Sequence, residues 1–146
     1  MSRVFVCENT GATIYVFSND HCPPHVHARH RGKGWIARVR FSYFSSTVEL
    51  MSISPIKSVP LQRVVNQLLD SIQDRLSDCR QSWWMTNRTA CLTNQWALVP
   101  ADGKMEMLSM QRPDSKQIAD ASYDPATERL RVTFRDRTTA EVRLRP

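Results

Sequence analysis

The segment from Trp35 to Tyr43 constrains the fold more than any other. Trp35, Ala37, Val39, Phe41 and Tyr43 share one parity, and Arg38, Arg40 and Ser42 share the other. Period-two alternation over this length describes a strand with one face buried and one face wet. Ser45 and Ser46 can turn the chain, and Val48–Ile53 then returns as a partner strand. Upstream, Ala12–Phe17 is rich in β-branched and aromatic residues, which favour a pleated setting. These segments predict an antiparallel meander of three or four strands.

Pro55 and Pro60 end the sheet region, because proline cannot donate to a ladder. Ser58 offers a helix cap, with Pro60 in the first turn. Leu61, Val64, Val65, Leu68, Leu69, Ile72 and Leu76 follow helical spacing, so one long helix over about residues 59–80 is expected to cover the sheet. Asp70, Asp74 and Asp78 lie on another face of it, read as a solvated stripe in preference to a docking strip. A second helix is expected over roughly 86–98, with Leu92 and Trp96 four residues apart. Residues 101–116 read as a polar linker with one extended segment and a short Met/Leu patch. Ile118–Tyr123, Leu130–Phe134 and Ala140–Leu144 read as three short strands joined by turns at Asp124–Thr127 and Arg135–Arg137. The expected fold class is α+β: an N-terminal antiparallel sheet covered by a long helix (residues 1–100), a linker (101–116) and a small C-terminal three-stranded β-meander (117–146).

A chain of 146 residues with 41% hydrophobic residues can bury a core without a metal or disulfides. No apolar run reaches the roughly 20 residues of a membrane span, and the N-terminus lacks the apolar core of a signal peptide. No membrane partner and a cytoplasmic setting are therefore expected. Cys7, Cys22, Cys79 and Cys91 form no CxxC pair and read as reduced thiols.

The net charge of +6 is unevenly placed. Arg29, Arg31, Lys33, Arg38 and Arg40 fall between Asp20 and Glu49, a stretch that contains no acid. Such a field suits a nucleic acid or an acidic protein partner; the plainer reading is a solvated basic face.

All four histidines lie within ten residues, in HCPPHVHARH from His21 to His30. On a strand, His25 and His27 point to the same face, about 7 Å apart. Pro23-Pro24 stiffens the approach. Two imidazoles so placed can converge on one cation, with His21 and Cys22 folding back as further ligands, and zinc, nickel, copper or iron would accept such a site. Without metal they can transfer protons or contact phosphate. They can also be purely structural. The candidate chemical or ligand site is thus His21, His25, His27 and His30, with His25, His27 and His21 as the metal set. Asp20 adjoins the cluster, and Glu49 is placed to reach it across the sheet. Trp83-Trp84 reads as core or a helix terminus in preference to a ligand platform, and Arg31-Gly32-Lys33-Gly34 is a basic turn without the frame of a P-loop.

HCPPHVHA, His21–Ala28, resembles the H-x-P-P-H-[FV]-H-A signature of a bacterial family, domain of unknown function 4160, over about residues 10–100. His21, Pro23, Pro24, His25, His27 and Ala28 are the signature positions. The tail, Ile118–Leu144, is similar to domain of unknown function 2442, although the Asp-Gly turn of that family stands here as Asp136-Arg137. The resemblance implies the setting of compact two-gene modules of toxin–antitoxin type and brings no established reaction. The expectation is a small bacterial protein of toxin–antitoxin or mobile-element defence type that binds nucleic acid through Arg29–Arg40. The competing expectation is a non-enzymatic inhibitor, antitoxin-like or anti-defence, whose basic face meets an acidic protein.

Overall fold

A computed structural model describes residues 1–55, 59–98, 106–108 and 115–143. It holds two compact units, residues 1–88 and 89–145. Both are built on antiparallel sheets, and the helices fall in the first.

In the first unit β1 (Ser2–Val6), β2 (Thr13–Val16), β3 (His25–His30), β4 (Trp35–Phe41) and β5 (Val48–Ser54) pair in sequence order as a meander. The alternation of β4 is fully expressed: Trp35, Ala37, Val39 and Phe41 are buried, while Ile36, Arg38 and Arg40 are exposed. Ile14, Val16, Val26 and Ala28 join the buried side from β2 and β3. The meander gains a fifth strand, β1, which carries a bulge between Arg3 and Phe5.

The single long helix is in fact two, α1 (Gln62–Asp74) and α2 (Leu76–Asn87). Arg75 breaks the helix at φ −110° and ψ 27°. Its guanidinium lies 4.6 Å from the centre of the Phe5 ring, and its Nε donates to Asp78 at 2.6 Å. The apolar period runs through this point unbroken, so nothing local announced the break. α1 packs on β5 through a face that buries Val65, Leu68 and Ile72; α2 reaches β1, β2 and β3 and buries Leu76, Cys79 and Trp83. The expected Ser58 cap lies outside the described residues, and the residue preceding α1 is Leu61.

The helix expected over 86–98 is absent. α2 stops at Asn87, where Arg88 adopts a left-handed conformation (φ 56°) and returns its N–H to the Trp84 carbonyl. Cys91 and Asn94 also have positive φ, and Trp96–Leu98 is a strand, β6, paired with β8. Sheet pairing here overrides an i, i+4 coincidence.

In the second unit β6, β7 (Glu106–Leu108), β8 (Ser115–Asp124), β9 (Arg129–Phe134) and β10 (Thr139–Arg143) are ordered β10-β9-β8-β6-β7. The three expected tail strands are β8, β9 and β10, and β6 and β7 extend them beyond a three-stranded meander. β7 and the start of β8 fall within the stretch read as a linker; residues 101–105 and 109–114 lie outside the described residues. Leu130, Val132 and Phe134 are buried together with Ile118 and Tyr123. Asp124 closes the β8–β9 turn by accepting from Ala126 N–H and Thr127 Oγ1. In the β9–β10 turn Arg137 holds φ 69°, the conformation that a glycine would adopt more easily.

Cys7 and Cys79 are buried free thiols. Cys22 and Cys91 are disulfide-bonded, which corrects the reading of four reduced thiols. Among the described residues no helix is long and apolar enough to cross a membrane.

Candidate functional site

β3 sets His25, His27 and Arg29 at alternate positions. Its pairing places Arg40 opposite His25, Arg38 opposite His27 and Ile36 opposite Arg29. On the other side Tyr15 of β2 stands opposite His27. Directly paired residues share a sheet face, so the two histidines and three arginines share one.

The carboxylate that joins the histidines is Asp20, which reaches them from the β2–β3 loop. Its Oδ2 accepts from Phe17 N–H at 3.2 Å and lies 3.2 Å from His27 Nε2 and 3.6 Å from His25 Nε2. The ligand atoms of Asp20, His25 and His27 all fall within 4.8 Å of one another. His25 donates from Nδ1 to the Pro23 carbonyl at 2.9 Å. Its ring is buried and lies 5.0 Å from the His27 ring and 5.4 Å from Trp83. His27 meets Phe17 edge-on at 4.5 Å.

The cluster is open to solvent at Asp20 and His27. The side chains of His27 and Asp20 are each 17% exposed, against 6% for His25. Both line a groove of about 330 Å³ with Met1, Tyr15, Phe17, Arg29 and Ile36. Burial pushes the His27 imidazole below its ordinary pKa. The Asp20 carboxylate pulls the other way without cancelling it, and His25 and Arg38 push further down. A neutral imidazole beside a carboxylate can accept a proton, take a metal ion or bond a polar ligand.

The other expected site residues are dispersed. His21 is exposed and outside the cluster, and Cys22 is committed to a disulfide. His30 has the opposite strand parity, accepts from Lys33 N–H at Nδ1 (2.9 Å) and rests 5.5 Å from the Trp35 ring. A Cβ on Gly11 would meet His30 Nε2 at 3.3 Å, so this ring is wedged against the neighbouring turn. Arg29, Arg31, Lys33, Arg38 and Arg40 are all exposed. Arg38 Nε donates to Ser52 Oγ at 3.0 Å. Arg40 is ion-paired with Glu49, directly opposite in β5. Glu49 therefore serves Arg40, and Asp20 takes the place in the histidine cluster. Asp78 pairs with Arg75 on the helices. Trp83 is core, as read from the sequence.

Sequence reasoning left Asp20 out of the site set. The available signal was its position: it is the one acid between Glu8 and Glu49 and abuts the histidine run.

No family model, curated protein or solved structure matches this chain.

Proposed function

We propose that the chain is a nucleic-acid-binding protein of toxin–antitoxin or mobile-element defence type. The sheet face from Arg29 to Arg38 takes the phosphate backbone, and the Asp20–His25–His27 cluster beside it is the ligand site. The observation that carries this reading is the shared face: Arg38 stands directly opposite His27, and Arg29 lines the same groove. Cations that neutralise phosphates then set a strand beside imidazoles that can bond or deprotonate it. The resemblance of His21–Ala28 to the HxPPHxHA family supplies the bacterial setting, and no reaction is assigned.

One observation favours a second reading. Arg40 is already matched by Glu49, so the face carries both signs. A mixed pattern suits a protein surface of complementary charge, as an inhibitor would need.

Salt dependence separates the two. With Arg40 set aside, Arg29, Arg31, Lys33 and Arg38 allow about three to four phosphate contacts. The log–log slope of affinity against salt should then be about −2 to −3 on single strands. Arg29→Ala with Arg38→Ala should flatten it by roughly 1 to 1.5 for every base sequence alike. Fluorescence anisotropy on mixed-sequence single-stranded and duplex probes reads this. No binding to any probe at low salt would transfer the assignment to the acidic-protein reading.

A further inference from the structure

We propose that Asp20, His25 and His27 form a three-ligand site for a divalent transition ion of the zinc type, with an open coordination position on the Asp20–His27 side, facing the groove. This inference stands on the cluster alone and does not need the nucleic-acid reading.

The donor atoms are spaced for one ion. Zinc bonds imidazole nitrogen and carboxylate oxygen at about 2.0–2.2 Å, and a tetrahedron of that size has edges of about 3.3 Å. The two edges from Asp20 Oδ2 measure 3.2 Å to His27 Nε2 and 3.6 Å to His25 Nε2. Drawing the two imidazoles together, from a separation of no more than 4.8 Å, completes the third.

Hydrogen bonding also points to a cation. A backbone carbonyl only accepts, so the contact to Pro23 puts an N–H on His25 Nδ1 and leaves Nε2 as the nitrogen for a ligand. His25 Nε2 lies 3.6 Å from the Asp20 carboxylate oxygen. An imidazole nitrogen and a carboxylate this close in a mostly buried site need positive charge between them, which a proton or a metal ion supplies. With a metal ion in that place, the same Pro23 contact is the outer-shell bond that orients a ligating histidine. Phe17 N–H holds the Asp20 carboxylate in the same way.

The donor set defines the class of site. Two imidazoles and one carboxylate, without thiolate, are the ligands of catalytic zinc or iron centres rather than of closed structural ones. Three protein ligands leave a position for water or a substrate oxygen. Arg29 lines the groove on which that position opens, so an anionic oxygen would find both charges there.

Calorimetry with Zn²⁺ and visible absorption with Co²⁺ test this on the full-length, tag-free chain after dialysis against a chelator. One ion per chain is expected, with Co²⁺ bands of low coordination number. Asp20→Asn keeps an acceptor for Phe17 N–H and should weaken Zn²⁺ by at least the roughly 10- to 100-fold that loss of an outer-shell partner costs. His25→Asn should do the same, and His21→Ala should leave affinity and spectrum unchanged. Circular dichroism identifies folded variants; if a histidine variant fails to fold, Asp20→Asn alone decides. Substoichiometric Zn²⁺ uptake, or full affinity in folded Asp20→Asn, would overturn the site. Loss of binding in His21→Ala would also overturn it, by placing the ion elsewhere.

Discussion

The Pro23 carbonyl oxygen accepts a hydrogen bond from His25 Nδ1 at 2.9 Å, and this contact commits Nδ1 as a donor and leaves Nε2 for other partners. The ring lies against Trp83 and is almost fully buried. His25 therefore has two separable tasks, one at each nitrogen. Nδ1 ties the strand entrance to the preceding turn, and Nε2 faces Asp20.

Two substitutions split those tasks. Asparagine places an N–H near the position of Nδ1 and nothing at Nε2. His25→Asn should stay within about 1 kcal/mol of the parent stability while removing the Nε2 function. His25→Ala leaves a void beside Trp83 and strips the Pro23 carbonyl of this partner, and should cost about 2–4 kcal/mol. Urea unfolding of both variants measures the difference. Equal losses would mean that the Pro23 contact contributes nothing.

A second buried contact holds the β4–β5 connection. Arg80 of α2, 2% exposed, donates from Nε to the Ser42 carbonyl and from Nη2 to the Ser45 carbonyl, each at 2.9 Å. Tyr43 Oη donates in return to the Arg80 carbonyl. Hydrogen bonds from a charged donor are worth about 1.5–3 kcal/mol each. Arg80→Met fills similar volume but strips both carbonyls of this partner, and should destabilise the chain by about 2–4 kcal/mol. Tyr43→Phe should cost about 1 kcal/mol. The two residues serve one connection, so the double variant should lose less than the sum. Strict additivity in chemical denaturation would show that the contacts act independently.

What the sequence made legible follows from how local each signal was. The alternation of Trp35–Phe41 is a property of one strand facing one core, and it appears in the structure residue for residue. The apolar period of residues 61–76 gives helix, but the break at Arg75 depends on stacking against Phe5, seventy residues away. Leu92 and Trp96 have helical spacing by accident, and pairing of β6 with β8 settles that segment as strand. The same division runs through the site. His25 and His27 share a face because strand geometry requires it. Asp20 joins them through a loop whose path no period encodes, and Arg40 is matched by Glu49 only because the β4–β5 register sets them opposite. Residues tied by strand or helix period were readable as a group; partners brought in by a loop path or by tertiary register were not.

The lowered pKa of His27 fixes the sign of one pH effect. Burial is the largest cause, and the nearby Asp20 carboxylate only partly offsets it. The folded chain therefore holds His27 neutral down to a lower pH than the unfolded chain, where an ordinary histidine titrates at about 6.5. Between those two values the unfolded state binds more protons, so stability rises with pH across the window. In the opposite direction, stability is fully present above about pH 6.5 and is lost progressively as pH falls toward the folded value. The melting temperature, measured in chelator from pH 7.5 to 5.0, should decline over that interval. His27→Asn removes the titrating group while keeping a polar side chain near Asp20, so its decline should be shallower. The other three histidines remain in both proteins, so the difference between the two curves reports His27 together with its coupling to Asp20 and His25. Parallel curves would show that protonation of His27 is not linked to folding.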